Sequence, residues 1–151
     1  MKLHQLSVFL ENKPGQLLTP CKVLAAAGVN IVTMSLADTQ QFGILRLLVA
    51  PWEQAKAVLE KAGCVVNVTE VVALPVPFHP GGLAGVLEVI EHAGISVEYM
   101  YAMPGMLGDQ GVLIFRFEDT DTAVNALRSS GVKPLEAQTL WKRLNLASSK
   151  V

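Results

Sequence analysis

An internal repeat limits the possible folds of this chain more than any other property. The dipeptide Pro14-Gly15 recurs as Pro80-Gly81, and the apolar residues that follow each turn match at an offset of 66 residues. After a two-residue insertion the match continues at an offset of 68. A repeat of this length indicates a duplicated supersecondary unit. We therefore expect one unit at residues 1–70, a second at 71–146 and a short C-terminal tail at 147–151.

Each copy shows the same order of strand and helix patterns. In the first copy Leu6, Val8 and Leu10 recur at every second position, which is typical of a half-buried strand. Pro14 is predicted to open a helix and Gly28 to end it, because proline suits the first helical turn and glycine the residue after the last. The apolar stripe of this helix is predicted from residues spaced by three or four, namely Leu17, Cys21, Leu24 and Ala25.

The rest of the first copy completes the pattern. The β-branched stretch "VNIVTMSLAD" predicts a second strand, and a third follows in which Leu45, Leu47 and Val49 share one face. A second helix is predicted from Pro51 to Ala62. The run "CVVNVTEVVALPV" is predicted to be one long strand that ends the first copy and begins the second.

This order defines the expected fold class. Two tandem units of strand-helix-strand-strand-helix-strand (βαββαβ) give an α+β, ferredoxin-like fold, with antiparallel sheets and helices on one face. In the second strand, Val32, Met34 and Leu36 form the expected core set, but the second copy places Glu98 there, which a β-bulge would reconcile. The opposite face is also apolar and is expected to need a partner; its members are Ile44, Leu48, Val112 and Ile114.

Composition and charge exclude several classes of function. The 12 Lys and Arg against 13 Asp and Glu form no basic cluster, which argues against nucleic acid and against an anionic membrane surface. The N-terminus lacks the features of a signal peptide, so a cytoplasmic location is expected. With 51% hydrophobic residues in a short chain, a self-association surface and a homodimer are expected.

No metal or cofactor site is indicated. Cys21 and Cys64 form no CxxC pair, so two reduced core thiols are expected. The histidines His4, His79 and His92 do not fall at the spacing of metal ligands. We also find no nucleophile elbow, phosphate loop or paired carboxylates, so the sequence favours a protein that is not an enzyme.

The stretches "LSVFLENKPGQL" and "VLAAAGVNIVTMSLAD" resemble an ACT domain, the small-molecule regulatory module of amino-acid metabolism. They are particularly similar to the opening of the regulatory subunit of acetolactate synthase, which carries Glu-Asn-x-Pro-Gly and then Asn-Ile at this separation. The chain from Lys2 to about Leu144 resembles stand-alone proteins made of two tandem ACT units. The resemblance implies that an amino acid binds at an interface between two units. It places that site at Asn12, Gly15, Asn30 and Ile31, with Ala37 further along the strand.

The chemistry of these residue types suits an amino acid. Backbone N–H groups at a helix start bind a carboxylate, and the side-chain oxygens of Asn12 and Asn30 accept from an ammonium group. An apolar pocket wall favours a branched-chain or other apolar amino acid. The whole candidate set is Asn12, Lys13, Gly15, Gln16, Leu17, Asn30, Ile31 and Met34. Helix capping and turn formation would explain the same residues without a ligand.

The second copy departs from this pattern, because Phe78 replaces Asn12 and Ser96 replaces Asn30. Tyr99, Tyr101 and Met103 share a strand face that is either core, interface or the wall of an apolar pocket. The stretch "MPGMLGDQG" is expected to be a loose turn, with a lid over a ligand as the alternative. Trp141, near the C-terminus, is expected to anchor the last segment.

Three functions stay open. The first is an amino-acid-binding regulatory protein that acts as a homodimer and signals to a partner enzyme. The second is a structural protein–protein interaction module whose ligand site is vestigial. The third is a small auxiliary enzyme subunit of the acetolactate synthase type. Ligand binding separates the first from the second, and turnover assays identify the third.

Overall fold

The structure, a computed structural model, describes residues 1–39 and 41–144. Its helices and strands follow the order predicted for two tandem βαββαβ units of an α+β protein, except at the last strand of the second unit. None of its helices, within these ranges, is long and apolar enough to cross a membrane. The elements are β1 (Lys2–Glu11), α1 (Leu18–Ala26), β2 (Asn30–Thr39), β3 (Phe42–Ala50), α2 (Trp52–Lys61), β4 (Val65–Pro77), α3 (Gly82–His92), β5 (Val97–Leu107), β6 (Gln110–Phe117), α4 (Thr120–Ser129) and α5 (Ala137–Arg143).

The described chain forms two compact units. The first unit consists of His4–Thr69, and the second consists of residues 70–144 together with Met1–Leu3. Hydrogen-bonded strands follow the order β2-β3-β1-β4 in the first unit and β4-β6-β5 in the second. The long strand β4 begins in the first unit and ends in the second, as the sequence predicts. The boundaries at residues 1–70 and 71–146 stay predictions, and the tail at 147–151 lies outside the described residues.

The core of the first unit lies between one face of its sheet and its two helices. Alternate residues of β1 and β3 supply Leu6, Val8, Leu45 and Leu47, all fully buried. Helices α1 and α2 contribute Leu24, Ala55 and Leu59 to the same cluster. Each fully buried leucine stabilises the fold by about 1.5–3 kcal/mol relative to an exposed one. The predicted faces of β1 and β3 are therefore confirmed.

The second unit repeats this arrangement, with Phe115 and Phe117 of β6 packed against Val86, Ile90 and Leu127 of its helices. Its last element differs from the predicted strand. Residues 132–136 belong to no helix or strand, and the Leu135 N–H donates one hydrogen bond to the Ala73 carbonyl at 2.9 Å. Pro134, the residue before Leu135, has no N–H to donate, which disfavours a continuous strand ladder here. Helix α5 follows, with Leu140 buried and Trp141 half-buried.

Helix α1 begins later than predicted. Pro14 opens a turn over residues 14–17, and the helix starts at Leu18. The cause is Gly15, whose φ of +86° is left-handed and incompatible with a helix. Because α1 starts later than predicted, the set of its residues that face the core also differs from the prediction. Leu17 and Ala25 are exposed, whereas Pro20, Val23, Leu24 and Ala27 face the core.

The bulge proposed for the second strand is present in both units. The register of β2 on β3 shifts between Ile31 and Thr33, and that of β5 on β6 shifts between Val97 and Tyr99. Val32 and Glu98 are therefore the extra residues, and Val32 does not belong to the core set. Met34 and Leu36 pair with core positions of β3 but are 40% and 54% exposed, because the strand order ends at β2.

The opposite face of the sheet differs from the expectation. Leu48, Val112 and Ile114 are buried within the chain, so these side chains need no partner, and Ile44 is half-buried. The stretch predicted as a loose turn is mostly strand. β5 continues to Leu107 and β6 starts at Gln110, which leaves a tight turn at Gly108 and Asp109.

Candidate functional site

The turn that precedes α1 in the first unit carries five of the predicted site residues. Asn12 and Lys13 follow β1 directly, and Gly15, Gln16 and Leu17 lead into the helix. A Cβ added to Gly15 would have no heavy atom within 4 Å, so its backbone is open to an approaching ligand. The Gln16 N–H donates to the Lys13 carbonyl at 3.3 Å and is already engaged by the turn.

Lys13 has a carboxylate partner at this turn. Its Nζ lies 2.7 Å from Oε2 of Glu11. This hydrogen bond raises the pKa of the Lys13 ammonium, since the partner favours the charged form. Both side chains are largely exposed, so the pair contributes little stability. The turn therefore presents a cation whose charge is already balanced.

The remaining predicted residues lie elsewhere in the first unit. β1 ends where Glu11 pairs with Phe42, whereas β2 begins where Asn30 pairs with Ala50. The 9-residue strand β3 separates these points, which at about 3.3 Å per residue is about 26 Å. Ile31 packs against the core and Met34 lies further along β2. One copy of this unit thus does not bring Asn12 and Asn30 together.

The second unit contains an apolar cavity of about 530 Å³. It lies where β4 turns into α3, beside the paired strands β5 and β6. We call it the apolar cavity. It is lined by Val76, Pro77, Phe78, His79, Pro80, Leu83, Ala102, Met103, Gly105, Gly111, Val112 and Leu113. A smaller cavity of about 360 Å³ shares Pro77 and His79 with it and extends along α3 past Gly82 and Gly85.

Local backbone geometry shapes the mouth of the apolar cavity. The Phe78 N–H donates to the Asp109 carbonyl at 3.0 Å, which ties the turn to the β5–β6 hairpin. Gly81 has a φ of +86°, the same left-handed geometry as Gly15 in the first unit. Phe78 is 75% exposed, although its ring is apolar. Nδ1 of His79 lies 2.9 Å from the Pro80 carbonyl oxygen.

Sequence reasoning found part of this cavity and missed part. The register places Tyr99, Tyr101 and Met103 on one strand face, as predicted, and Met103 lines the cavity. The contributions of Ala102 and Gly111 were missed. The signal was available in the repeat, because Ala102 stands where the first copy carries Leu36.

Several charged side chains of the second unit form ion pairs with one another. Nζ of Lys2 lies 2.8 Å from Oε2 of Glu70 and 2.9 Å from Oδ1 of Asp121, and these bonds raise the pKa of Lys2. Arg116 donates to Glu98 and to Thr120, at 3.0 Å in each case. All three of these ion pairs join residues of the same unit, so their role is structural.

Metal-binding chemistry has no support in the described ranges. No group of three or more His, Cys, Asp or Glu side chains there could hold a metal ion. Cys21 and Cys64 are free thiols, and partial burial raises the pKa of Cys64 above its ordinary value. That shift keeps the less reactive thiol form at neutral pH.

A duplicated βαββαβ unit with an open turn before its first helix is the architecture of a regulatory domain pair. The chain belongs to the ACT domain pair family, whose model matches residues 1–142. No curated protein matches the chain.

Three solved structures show the same architecture. Protein BT0572 from Bacteroides thetaiotaomicron is 34% identical with a TM-score of 0.87, and the alignment covers 94% of this chain and 97% of that one. The ligand-free regulatory subunit of aspartate kinase from Thermus thermophilus is 15% identical, with a TM-score of 0.61 and coverage of 84% and 91%. The corresponding subunit from Thermus flavus is 14% identical, with a TM-score of 0.56 and coverage of 85% and 92%. At these two lower identities the likeness shows the fold alone.

Proposed function

We propose that this protein is a non-catalytic, amino-acid-binding regulatory protein of amino-acid metabolism. The observation that carries the proposal is the open turn at Asn12–Leu17, where a left-handed Gly15 leaves the backbone accessible. Such a turn before a helix suits the carboxylate of an amino acid, because backbone N–H groups and the helix dipole favour an anion there. Membership of the ACT domain pair family supports a ligand-binding role.

The ligand in this proposal lies at an interface between two ACT units. Asn12 and Asn30 lie at opposite ends of the same three strands, so a site that uses both needs a second unit. A second copy of the chain would supply it, which makes the functional form a homodimer. Ile31 and Met34 would then form an apolar wall, which favours a branched-chain or other apolar amino acid.

Regulation follows if the ligand binds one arrangement of the units more tightly than another. The coupling cannot exceed that difference in affinity. A partner enzyme would bind one arrangement of the units in preference to the other, and its activity would change accordingly. The Glu-Asn-x-Pro-Gly spacing makes acetolactate synthase one candidate partner, and the fold shared with aspartate kinase regulatory subunits makes an enzyme-regulating role reasonable.

Thermal unfolding against the twenty amino acids at millimolar concentration tests the proposal. At 100 times its dissociation constant a ligand adds about 2.7 kcal/mol to the free energy of unfolding. Asn12→Ala and Asn30→Ala are expected to remove the stabilisation, while Asn125→Ala, on the exposed face of α4, keeps it. Full ligand stabilisation in both Asn12→Ala and Asn30→Ala would contradict the proposed site.

A protein–protein interaction module is the second candidate. Several large apolar side chains of the first unit are exposed, and such surfaces mark interaction sites when they are contiguous. They are Phe9, Leu17, Leu18, Leu36 and Phe42. A well-folded protein that responds to none of the amino acids would favour this function. Turnover in an acetolactate synthase assay would instead favour the auxiliary enzyme subunit.

A further inference from the structure

We propose that the apolar cavity of the second unit binds an uncharged, largely apolar small molecule that carries one hydrogen-bond donor. Its volume of about 530 Å³ falls within the range of small-molecule sites, about 300–1,000 Å³. This site is separate from the amino-acid site proposed for the first unit, and neither proposal depends on the other.

The lining decides the class of ligand. None of its described residues is Lys, Arg, Asp or Glu, and His79 is the one polar side chain among them. A free amino acid would leave water for a lining that offers no ionised side chain to either of its charges, which is costly. The second copy has also replaced Asn12, a residue able to meet such charges, with Phe78. The cavity therefore selects against a zwitterion.

His79 supplies the polar contact. The Pro80 carbonyl can only accept, so the Nδ1 of His79, at 2.9 Å, carries the hydrogen of that bond. In the neutral ring this leaves Nε2 as an acceptor. A ligand with one hydroxyl or N–H group on an apolar body complements an acceptor among apolar side chains.

A comparison of the two copies shows why this space is open in the second unit. In the first unit, Leu36 occupies the space above Gly43, since its Cδ1 lies 3.4 Å from an added Cβ. In the second unit the corresponding residues are Ala102 and Gly111, and an added Cβ at Gly111 meets only the Val76 carbonyl oxygen, at 3.9 Å. Leu36 pairs with Leu45 as Ala102 pairs with Leu113. The space is therefore open in the second unit, where alanine stands at the position that leucine occupies in the first.

This comparison provides the blocking variant. Ala102→Leu restores the side chain that the first copy carries, at an exposed position on β5 that tolerates added volume. Ala25→Leu, the same change at an exposed position of α1, is the matched control. Phe78→Asn restores the first copy's residue at the mouth and gives a second, independent variant.

The experiment compares indole with L-tryptophan, which adds the amino-acid charges to the same ring. Both are titrated into the full-length, ¹⁵N-labelled protein, and amide shifts are followed by NMR. We expect indole, but not L-tryptophan, to shift signals of residues 78–83 and 102–113. Ala102→Leu should weaken indole binding at least about tenfold, which corresponds to about 1.4 kcal/mol. Phe78→Asn should weaken it as well, and Ala25→Leu should leave it unchanged.

Several results would overturn the proposal. These are equal indole affinity in Ala102→Leu and wild type, equal binding of L-tryptophan at the cavity, or no binding of indole at millimolar concentration. The same amide signals could also shift when the protein concentration is raised in the absence of indole. That result would show that a second copy of the chain, and not a small molecule, occupies the cavity. Asn12→Ala should leave the indole response intact, so failure here is distinguishable from failure of the amino-acid site.

Discussion

Gly82 and Gly85 lie one helical turn apart in α3, yet they are there for different reasons. A Cβ on Gly82 would overlap the carbonyl oxygen of Pro77 and lie 2.9 Å from its carbonyl carbon. The start of α3 therefore approaches the end of β4 so closely that only glycine fits. A Cβ on Gly85 meets nothing within 4 Å. The sequence alone does not distinguish the two residues, because the obstacle at Gly82 is backbone.

The two alanine variants are expected to change stability in opposite directions. Gly82→Ala forces backbone apart and should lower the free energy of unfolding by about 1–3 kcal/mol, the usual range for overpacking. Gly85→Ala should raise it by about 0.5–1 kcal/mol, because alanine loses less backbone entropy in a helix. Urea unfolding followed by circular dichroism measures both. Equal stability of the two variants would contradict the close approach at Pro77.

Asp119 caps the N-terminus of α4. Its Oδ1 accepts from the N–H groups of Asp121 and Thr122, both at 3.1 Å, and its Oδ2 accepts from the Thr122 hydroxyl at 2.6 Å. These bonds, the hydroxyl bond first among them, hold the pKa of Asp119 below its ordinary value. The carboxylate therefore stabilises the folded state wherever it is ionised.

The pH dependence follows from the direction of that shift. The folded pKa is depressed, so the stabilisation is complete above the unfolded value of about 3.9 and is lost as the pH falls through the folded pKa. Asp119→Ala should unfold at a lower urea concentration than wild type at pH 7. Below about pH 3.9 the difference in urea midpoint between wild type and Asp119→Ala should become smaller. A difference in urea midpoint that does not change with pH would contradict a role for the ionised Asp119 carboxylate in capping α4.

At the scale of elements, the sequence determines most strands and helices, and tertiary geometry determines the rest. Alternation predicted β1 and β3 correctly, and the shared strand β4 was predicted from its length and β-branched residues. The bulge at Val32 was only a hypothesis, because a one-residue register shift reverses side-chain faces without changing composition. The start of α1 was wrong because the glycine conformation at residue 15 outweighed the preference of Pro14 for a helical first turn.

Two leucines of α1 test where that helix packs. Leu24 is fully buried in the first core, whereas Leu18, in the first turn of the helix, is 54% exposed. Leu24→Ala should lower the free energy of unfolding by about 2–5 kcal/mol through lost burial and a new cavity. Leu18→Ala should change it by less than about 0.5 kcal/mol. Chemical unfolding of both variants checks this, and similar losses in the two would contradict the assigned stripe.

At the scale of the whole molecule, composition indicated a surplus of apolar surface, but the sequence did not place it. The expected patch on the sheet face was wrong for Leu48, Val112 and Ile114, which the chain itself buries. Exposed apolar residues instead occur on β2, where the strand order ends, including Met34 and Leu36. The candidate site was equally hard to complete, because the sequence does not show that Asn12 and Asn30 lie at opposite strand ends.

If β2 mediates the proposed homodimer, a charge on that strand should weaken it. Leu36→Lys places an ammonium on an exposed edge, a common means of preventing strand pairing. We expect the dimer dissociation constant to rise at least about tenfold, or about 1.4 kcal/mol. Sedimentation at several protein concentrations measures it. Val65 is an exposed residue of β4, and Val65→Lys is the control. It should leave the dimer dissociation constant unchanged.

The discontinuous second unit has a consequence for synthesis on the ribosome. The first unit, His4–Thr69, is contiguous, so all of its residues are present once that stretch has left the exit tunnel. Lys2 is made before it, yet the carboxylate partners of Lys2 are Glu70 and Asp121, which are translated later. Lys2 can therefore meet Glu70 only after the whole first unit has been made, and it can meet Asp121 only later still. The two copies of one fold thus differ in how they assemble. The first is built from one continuous stretch of chain, whereas the second needs a segment made at the outset to pair with residues made much later.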